Sequence, residues 1–224
     1  MANVFSPFGF RQFRRLDGGA PTAGFDTLSI ASSDTNLYFT GDPVATSTTG
    51  PYITVPSTGT VQIRGIFMGC EFFSPTVNRK VWSPFFPGSV QTSSGTNDAL
   101  AWVCTDPDML WIVQSSTTAT IGSSQIGLNF GITTSASSLG NTTTGISNVS
   151  LGSTTVASAS SGSSFPFRLM DFWSNWNAPS NGGFNFPANI PGTGAVVNGT
   201  DNTSAGMIVV VAPNAWDRKV LTGV

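Results

Sequence analysis

Short runs of β-branched and aromatic residues recur along this chain from Phe25 onward, and each is bounded by Gly, Pro, Asn, Asp, Ser or Thr. Runs of this length and spacing are typical of strands joined by turns. No window combines a 3.6-residue apolar period with good helix formers. The pattern therefore predicts an all-β protein, an antiparallel β-sandwich or jelly-roll-like domain, with an extended N-terminal arm. We expect strands at 25–31, 36–40, 43–47, 51–55, 61–73, 99–104, 110–115, 126–132, 146–151, 165–173 and 206–212.

Two of these runs carry finer predictions. In the run 126–132, Ile126, Leu128, Phe130 and Ile132 alternate with Gly and Asn. This period of two predicts that the four apolar side chains share one inward face. In the run 61–73, Gly65 and Gly69 interrupt the apolar residues. A glycine inside a strand marks a bulge or a close approach of another backbone.

Charged residues are scarce in this chain, and one long stretch in its middle contains none. Charged residues make up 9% of the sequence, against about 25% in an ordinary soluble domain. None lies between Met109 and Phe167, yet apolar residues return there at strand spacing, which disordered linkers lack. We therefore expect residues 25–224 to form the sandwich domain, either whole or as two subdomains joined near 115–160. Residues 133–144 are the segment in which we expect a mobile loop.

The overall balance of charge and hydropathy excludes several classes of partner. The net charge is -2, whereas a nucleic-acid-binding protein needs clustered Lys and Arg to displace counterions. No apolar run approaches the ~20 residues that span a bilayer, and no stretch of signal-peptide type is found near the N-terminus. The expected product is made in the cytoplasm and binds neither nucleic acid nor membrane.

The residues that support catalysis or metal binding are few. The chain contains no histidine, and its only glutamate is Glu71. Asp98, Asp106 and Asp108 are close enough in sequence to suggest a carboxylate pair or a calcium loop. Asp106-Pro107-Asp108, like Gly41-Asp42-Pro43, is better explained as a turn. The sequence therefore predicts no enzyme and no cofactor.

Cys70 and Cys104 are the only cysteines, and each lies inside an apolar, strand-like run. Two buried free thiols are favoured over a disulfide in a protein made in a reducing cytosol. Zinc requires three or four Cys or His ligands at short spacings. No metal site is expected.

Residues 1–24 form a segment that differs from the rest of the chain. Four phenylalanines interleave with three arginines there, at intervals that fit neither a helix nor a regular strand. Aromatic and Arg side chains dominate protein interfaces. The segment either folds back on its own domain or docks on another subunit, and its candidate binding residues are Phe5, Phe8, Phe10, Arg11, Phe13, Arg14 and Arg15.

A second aromatic segment, 172–194, lies among Asn, Pro and Gly and predicts a long loop. Three roles are open to it: a plug over one end of the sandwich, which we favour, a contact between subunits, or a platform for stacking sugar rings. The candidate side chains are Trp173, Trp176, Phe184 and Phe186.

Several short motifs, taken in order, resemble a known family. They are Met1-Ala2-Asn3-Val4-Phe5-Ser6-Pro7-Phe8-Gly9-Phe10, Leu16-Asp17-Gly18-Gly19-Ala20-Pro21, Phe39-Thr40-Gly41-Asp42-Pro43-Val44, Ile63-Arg64-Gly65-Ile66-Phe67-Met68-Gly69 and Asp98-Ala99-Leu100-Ala101-Trp102-Val103, which leads into Asp106-Pro107. Their order and spacing resemble the capsid cement, or decoration, proteins of tailed bacteriophages. The Ser/Thr-rich portion after Ser115 and the tryptophan-rich loop have no counterpart in this resemblance.

The resemblance implies an all-β structural protein of the virion, located on the outer surface of the capsid. Such a protein binds the major capsid protein, bridges its neighbouring subunits and stabilises the expanded head. Because clamps of this kind match local symmetry axes of the shell, we expect a homo-dimer or homo-trimer. The alternative is a receptor- or glycan-binding module on the virion surface, in a head fibre or a tail component.

Overall fold

The computed structural model describes residues 7–21, 24–56, 62–88, 98–116, 121, 125–133, 140–156, 165–173 and 208–214. The fold is all-β, as the sequence predicts, and every pair of named strands in these ranges is antiparallel. The strands are β1 (Arg11–Arg15), β2 (Asp26–Ile30), β3 (Tyr38–Phe39), β4 (Pro43–Thr46), β5 (Ile53–Thr54), β6 (Gly65–Ser74), β7 (Arg79–Ser83), β8 (Phe85–Phe86), β9 (Ala99–Cys104), β10 (Met109–Gln114), β11 (Asn129–Ile132), β12 (Gly140–Asn141), β13 (Ile146–Ser147), β14 (Leu151–Val156), β15 (Phe167–Phe172) and β16 (Ile208–Pro213).

One six-stranded sheet curls into a nearly closed barrel. Its strand order is β2-β9-β6-β4-β5, with β7 paired to the far half of β6. A bridge between Ser29 and Tyr52 brings β5 back to β2. The small barrel is filled by apolar side chains from all sides: Ile30, Tyr38, Val44, Ile53, Phe67, Cys70, Phe72, Phe86, Ala99, Ala101 and Val103.

The second six-stranded sheet has the order β1-β10-β16-β15-β11-β14 and packs against the barrel. Side chains of its inner face form one cluster with Ile66 of β6 and Cys104 of β9, so the two sheets share a core. The buried members of that cluster are Phe10, Ile63, Ile66, Cys104, Met109, Trp111, Val113, Ile121, Phe130, Ile132, Val149, Leu151, Phe167, Leu169, Phe172, Val209 and Val211.

The central strands of this second sheet are apolar on both faces. Leu110, Val210 and Ala212 point away from the shared core and are nevertheless buried. Phe13 of β1 packs with Trp173 against this outer cluster. Coverage on both sides explains why β10 and β16 are continuous apolar runs and do not alternate with polar residues.

Gly65 and Gly69 mark a close approach of another backbone and a bulge, the two features that a glycine inside this predicted strand suggests. A Cβ atom on Gly65 would lie 2.4 Å from the carbonyl oxygen of Cys104, so β6 and β9 come too close there for a side chain. The register between β6 and β9 shifts between Phe67 and Gly69, which marks an irregularity of the bulge type.

Most strand predictions are confirmed, and the differences have physical causes. Ile126 was expected to point inward, but it lies in a turn before β11 and is 41% exposed. The expected loop at 133–144 contains β12, which pairs with β13, while 134–139 lie outside the described residues. The expected single strand at 146–151 is wrong: β13 ends at Ser147, and Leu151 begins the separate strand β14. Strands β1, β7, β8 and the rest of β14 were missed, because each is short or interrupted by charged residues, proline or glycine. Among the described residues, no helix is long and apolar enough to cross a membrane.

Candidate functional site

The N-terminal segment folds back on its own domain over residues 7–21, which decides between the two alternatives for that part. Phe10 is completely buried and its ring stacks on Phe167, with 4.3 Å between ring centroids. Its amide donates a hydrogen bond to the carbonyl of Gly41, at 3.0 Å. Phe10 is therefore a core residue, and its ring does not contribute to a binding surface in the folded chain.

Residues 11–15 form β1, the outermost strand of the second sheet. β1 pairs with β10 in the register Arg11 to Ile112 and Arg15 to Met109, with an irregularity between Gln12 and Arg14. Among the strands that the structure describes, β10 is its only neighbour. The irregularity offers a physical reason for the uneven spacing of the phenylalanines, which obscured this strand in the sequence.

The side chains of β1 have different environments. Arg15 is committed to its own chain, because Nη1 forms an ion pair with Asp106 at 2.8 Å and Nε lies 3.5 Å from Asp17. Arg14 lies 5.5 Å from the centroid of the Phe13 ring, which in turn meets Trp173 edge to face at 4.9 Å. Phe13 and Trp173 are therefore in contact, although the sequence places one in the N-terminal segment and the other in the aromatic segment 172–194.

Arg11 differs from Arg15 in that the described residues offer it no ion pair. Its guanidinium is half-buried, and this burial lowers its pKa. In the ranges that the structure describes, no carboxylate lies within ion-pair distance of Arg11, whereas Arg15 has three. Removing a cation from water without a partner costs free energy, so Arg11 is a position where a carboxylate of another chain would be favourable.

Only some of the remaining candidate residues lie in the part of the chain that the structure describes. Phe8 is half-buried at the start of the described segment. Phe5 and the loop residues Trp176, Phe184 and Phe186 lie outside the described residues. Phe172, the first residue of the expected aromatic loop, is instead the last residue of β15 and is buried.

A pair of tryptophans on the barrel, Trp82 exposed and Trp102 partly buried, is not among the candidates predicted from the sequence. Trp82 of β7 is 63% exposed, and its ring centroid lies 6.5 Å from that of Trp102 in β9, with 41° between the planes. Leu100, also in β9, is 37% exposed. The alternation Arg-Lys-Val-Trp-Ser in β7 is a signal that could have predicted Trp82 on an outer face.

The aspartates do not assemble into a catalytic or metal site. Asp98 precedes β9 and Asp106 follows it, so they lie at opposite ends of the strand. Asp106 accepts a hydrogen bond from the amide of Asp108 at 2.9 Å, which confirms the predicted turn. Among the described residues, no group of three or more His, Cys, Asp or Glu is placed to hold a metal ion.

Both cysteines are buried and free, as the sequence predicts. Burial raises the pKa of the Cys70 thiol to about 12. Burial also raises the pKa of Cys104, whose sulfur accepts a hydrogen bond from the Gln12 amide nitrogen at 3.3 Å. Thiols with raised pKa values are weak nucleophiles, so these two pack as small apolar groups.

Asp42 occupies the predicted turn after β3. Its Oδ2 accepts a hydrogen bond from the amide of Phe39 at 2.7 Å, while Oδ1 is buried with no partner in normal geometry. Burial raises the pKa of Asp42 to about 7, and interactions with Ser147 and the Phe39 amide offset only part of this. The backbone of the same turn bonds to β6 and to the arm, so Asp42 lies where three segments meet.

Comparison with protein-family models, with curated proteins and with solved structures finds no match to this chain.

Proposed function

We propose that this protein is a structural component of a bacteriophage virion that binds the outer surface of the capsid. It bridges neighbouring subunits of the major capsid protein and stabilises the expanded head. The support is the resemblance of an ordered set of motifs to those of capsid cement proteins, together with a β scaffold that presents an aromatic and cationic strand at the edge of its described sheet. In this role the protein performs no catalysis.

The observation that carries the proposal is the position of Arg11 on β1. This guanidinium is half-buried and has no carboxylate partner among the described residues, and a carboxylate from a capsid subunit would form a charge-assisted, two-pronged pair with it. The strand itself adds a second means of attachment. An edge strand presents backbone N–H and C=O groups to which an extended segment of another protein can pair.

Weak individual contacts are sufficient for this function. A clamp repeated at hundreds of symmetry-related positions binds several capsid subunits at once, and linked binding events raise the total affinity well above that of one contact. A dimeric or trimeric form of this chain would present two or three β1 edges to the shell. The low charge of the surface suits a particle exposed to varied salt, since apolar burial and hydrogen bonds are screened less than ion pairs.

The proposal is tested with Arg11→Ala and the matched variant Arg79→Ala, which removes an exposed arginine on β7. Both are incubated with expanded capsids that lack this protein, and occupancy is measured by co-sedimentation and cryo-electron microscopy. We expect Arg11→Ala to weaken capsid binding about 10- to 100-fold, the equivalent of about 1.4–3 kcal/mol for a lost charge-assisted bond. Stability of the free protein should stay the same or rise, because a desolvated cation has been removed.

Point variants are preferable to truncation here, because deleting the arm would also remove Phe10 from the core and β1 from the sheet. If Arg11→Ala and Arg79→Ala decorate capsids as fully as the unmodified chain, β1 is not the binding edge. A copy number on purified virions far below that of the major shell protein would contradict the decoration role itself.

A further inference from the structure

The tryptophan pair is built to present one flat aromatic face to solvent. Gly69 of β6 lies directly opposite Trp102 in the strand register. A Cβ atom on Gly69 would lie 3.3 Å from the Trp82 ring, so the indole rests on the bare backbone of that glycine. One face of Trp82 is therefore supported from beneath, while 63% of the side chain remains exposed. A ring held this way loses little conformational freedom when a ligand stacks on it.

Polar groups surround the ring without adding net charge. Glu71 is the direct cross-strand neighbour of both Trp82 and Leu100, and its Oε1 lies 3.3 Å from Nζ of Lys80. Arg79 lies on the opposite face of β7 from Trp82, because alternate residues of a strand point to opposite sides. The cation and the carboxylate beside the ring, Lys80 and Glu71, form an ion pair whose charges cancel, so the patch attracts neither an anionic nor a cationic ligand strongly.

The size of the patch also limits its occupant. A fully exposed tryptophan presents up to about 250 Å², so Trp82 and its neighbours offer roughly 200–300 Å² of apolar surface. A stable protein interface buries about 800 Å² on each partner. The patch is therefore too small to hold a protein by itself, but it matches one or two sugar rings.

We propose that Trp82, Trp102 and Leu100 form a binding platform for a neutral glycan. The apolar C–H face of a pyranose stacks on the exposed indole, and its ring hydroxyls donate to Glu71 and accept from Lys80. An aromatic surface with a few convergent polar groups is the usual composition of a small-ligand site. This activity goes beyond capsid binding, since it uses the barrel and not β1.

The test measures binding of neutral glucose, mannose and galactose hexasaccharides by isothermal titration calorimetry, after a screen on an array of neutral glycans. Trp82→Ala is compared with Trp82→Phe, which keeps an aromatic face, and with Trp173→Ala, which removes the tryptophan packed on the other sheet. We expect binding by the unmodified chain, about a tenfold or greater loss in Trp82→Ala, and partial retention in Trp82→Phe. Trp173→Ala should bind normally.

Three results would refute the proposal that this patch binds a neutral glycan. They are no binding to any neutral glycan on the array, equal binding by Trp82→Ala, and a loss that follows Trp173 and not Trp82. Because Trp82 is on the surface, circular dichroism should show an unchanged fold in both of its variants. Capsid binding by Trp82→Ala is measured in parallel and should be unaffected, so failure of the glycan platform is distinguishable from failure of the capsid-binding edge.

Discussion

Replacing Phe10 by alanine tests whether the N-terminal arm is an integral part of the core. The Phe10 side chain has no exposed surface, and its ring is stacked on Phe167 with 17° between the planes. Truncation of a buried phenylalanine costs about 3–5 kcal/mol, because the transfer free energy of the ring is lost and a cavity remains. For a domain of this size, each kcal/mol lowers the melting temperature by about 2–4 °C. We therefore expect a decrease of about 6–20 °C.

The measurement is urea denaturation followed by far-ultraviolet circular dichroism, with thermal melting as a second reading. Phe13→Ala is the matched control, since this ring lies in the same strand but is only half-buried, and it should cost about 1 kcal/mol. The double variant with Phe167→Ala measures the stacking directly, with an expected coupling of about 0.5–1.5 kcal/mol. A loss below 1 kcal/mol for Phe10→Ala, no larger than that of Phe13→Ala, would refute the placement of the arm in the core.

Two further predictions concern a buried carboxylate and a close strand contact. Because burial raises the folded-state pKa of Asp42 from 3.8 to about 7, its contribution should favour folding most below pH 4, weaken as the pH rises to 7 and stay constant above. In urea denaturation at pH 4 to 8, the free energy of unfolding of Asp42→Asn, relative to that of the unmodified chain, should rise by up to about 4 kcal/mol as the pH increases to 7. If the two free energies change with pH in parallel, Asp42 is not buried in this way. Gly65→Ala should cost about 1–3 kcal/mol in the same assay, because its Cβ would overlap the Cys104 carbonyl. The control is Gly24→Ala: Gly24 has open space around it, so this variant should change the free energy of unfolding by less than about 0.5 kcal/mol. Equal losses of stability in Gly65→Ala and Gly24→Ala would show that β6 and β9 are not in close contact at Gly65.

The strands of the barrel and the central strands of the second sheet could be predicted because their signals are local. Runs such as Ala99–Cys104 and Met109–Gln114 are bounded by Asp and Pro, which end strands through their own backbone preferences. The arm could not be predicted in the same way. Arg11–Arg15 becomes a strand only because β10 offers it an edge, and the irregularity after Gln12 hides the period of two that would have revealed it.

The candidate binding residues were predicted by composition alone, and composition does not distinguish a core ring from a surface ring. Phe10 and Phe13 have similar neighbours in the sequence, yet Phe10 enters the shared core while Phe13 packs on the opposite face of the sheet. Arg11 and Arg15 likewise look equivalent until the turn between β9 and β10 places Asp106 beside Arg15.

Three properties of this chain could be predicted from local sequence patterns: the all-β fold, the positions of most strands and turns, and the burial of both cysteines. They follow from side-chain period and turn chemistry, which act over a few residues. Which aromatic side chains are covered is instead a result of tertiary packing. Trp111 of β10 is completely buried in the core that the two sheets share, whereas Trp102 of β9 is only partly buried beside the exposed Trp82. Both lie in similarly apolar strands, so no local pattern distinguishes them, and their burial depends on which distant part of the chain packs over each strand.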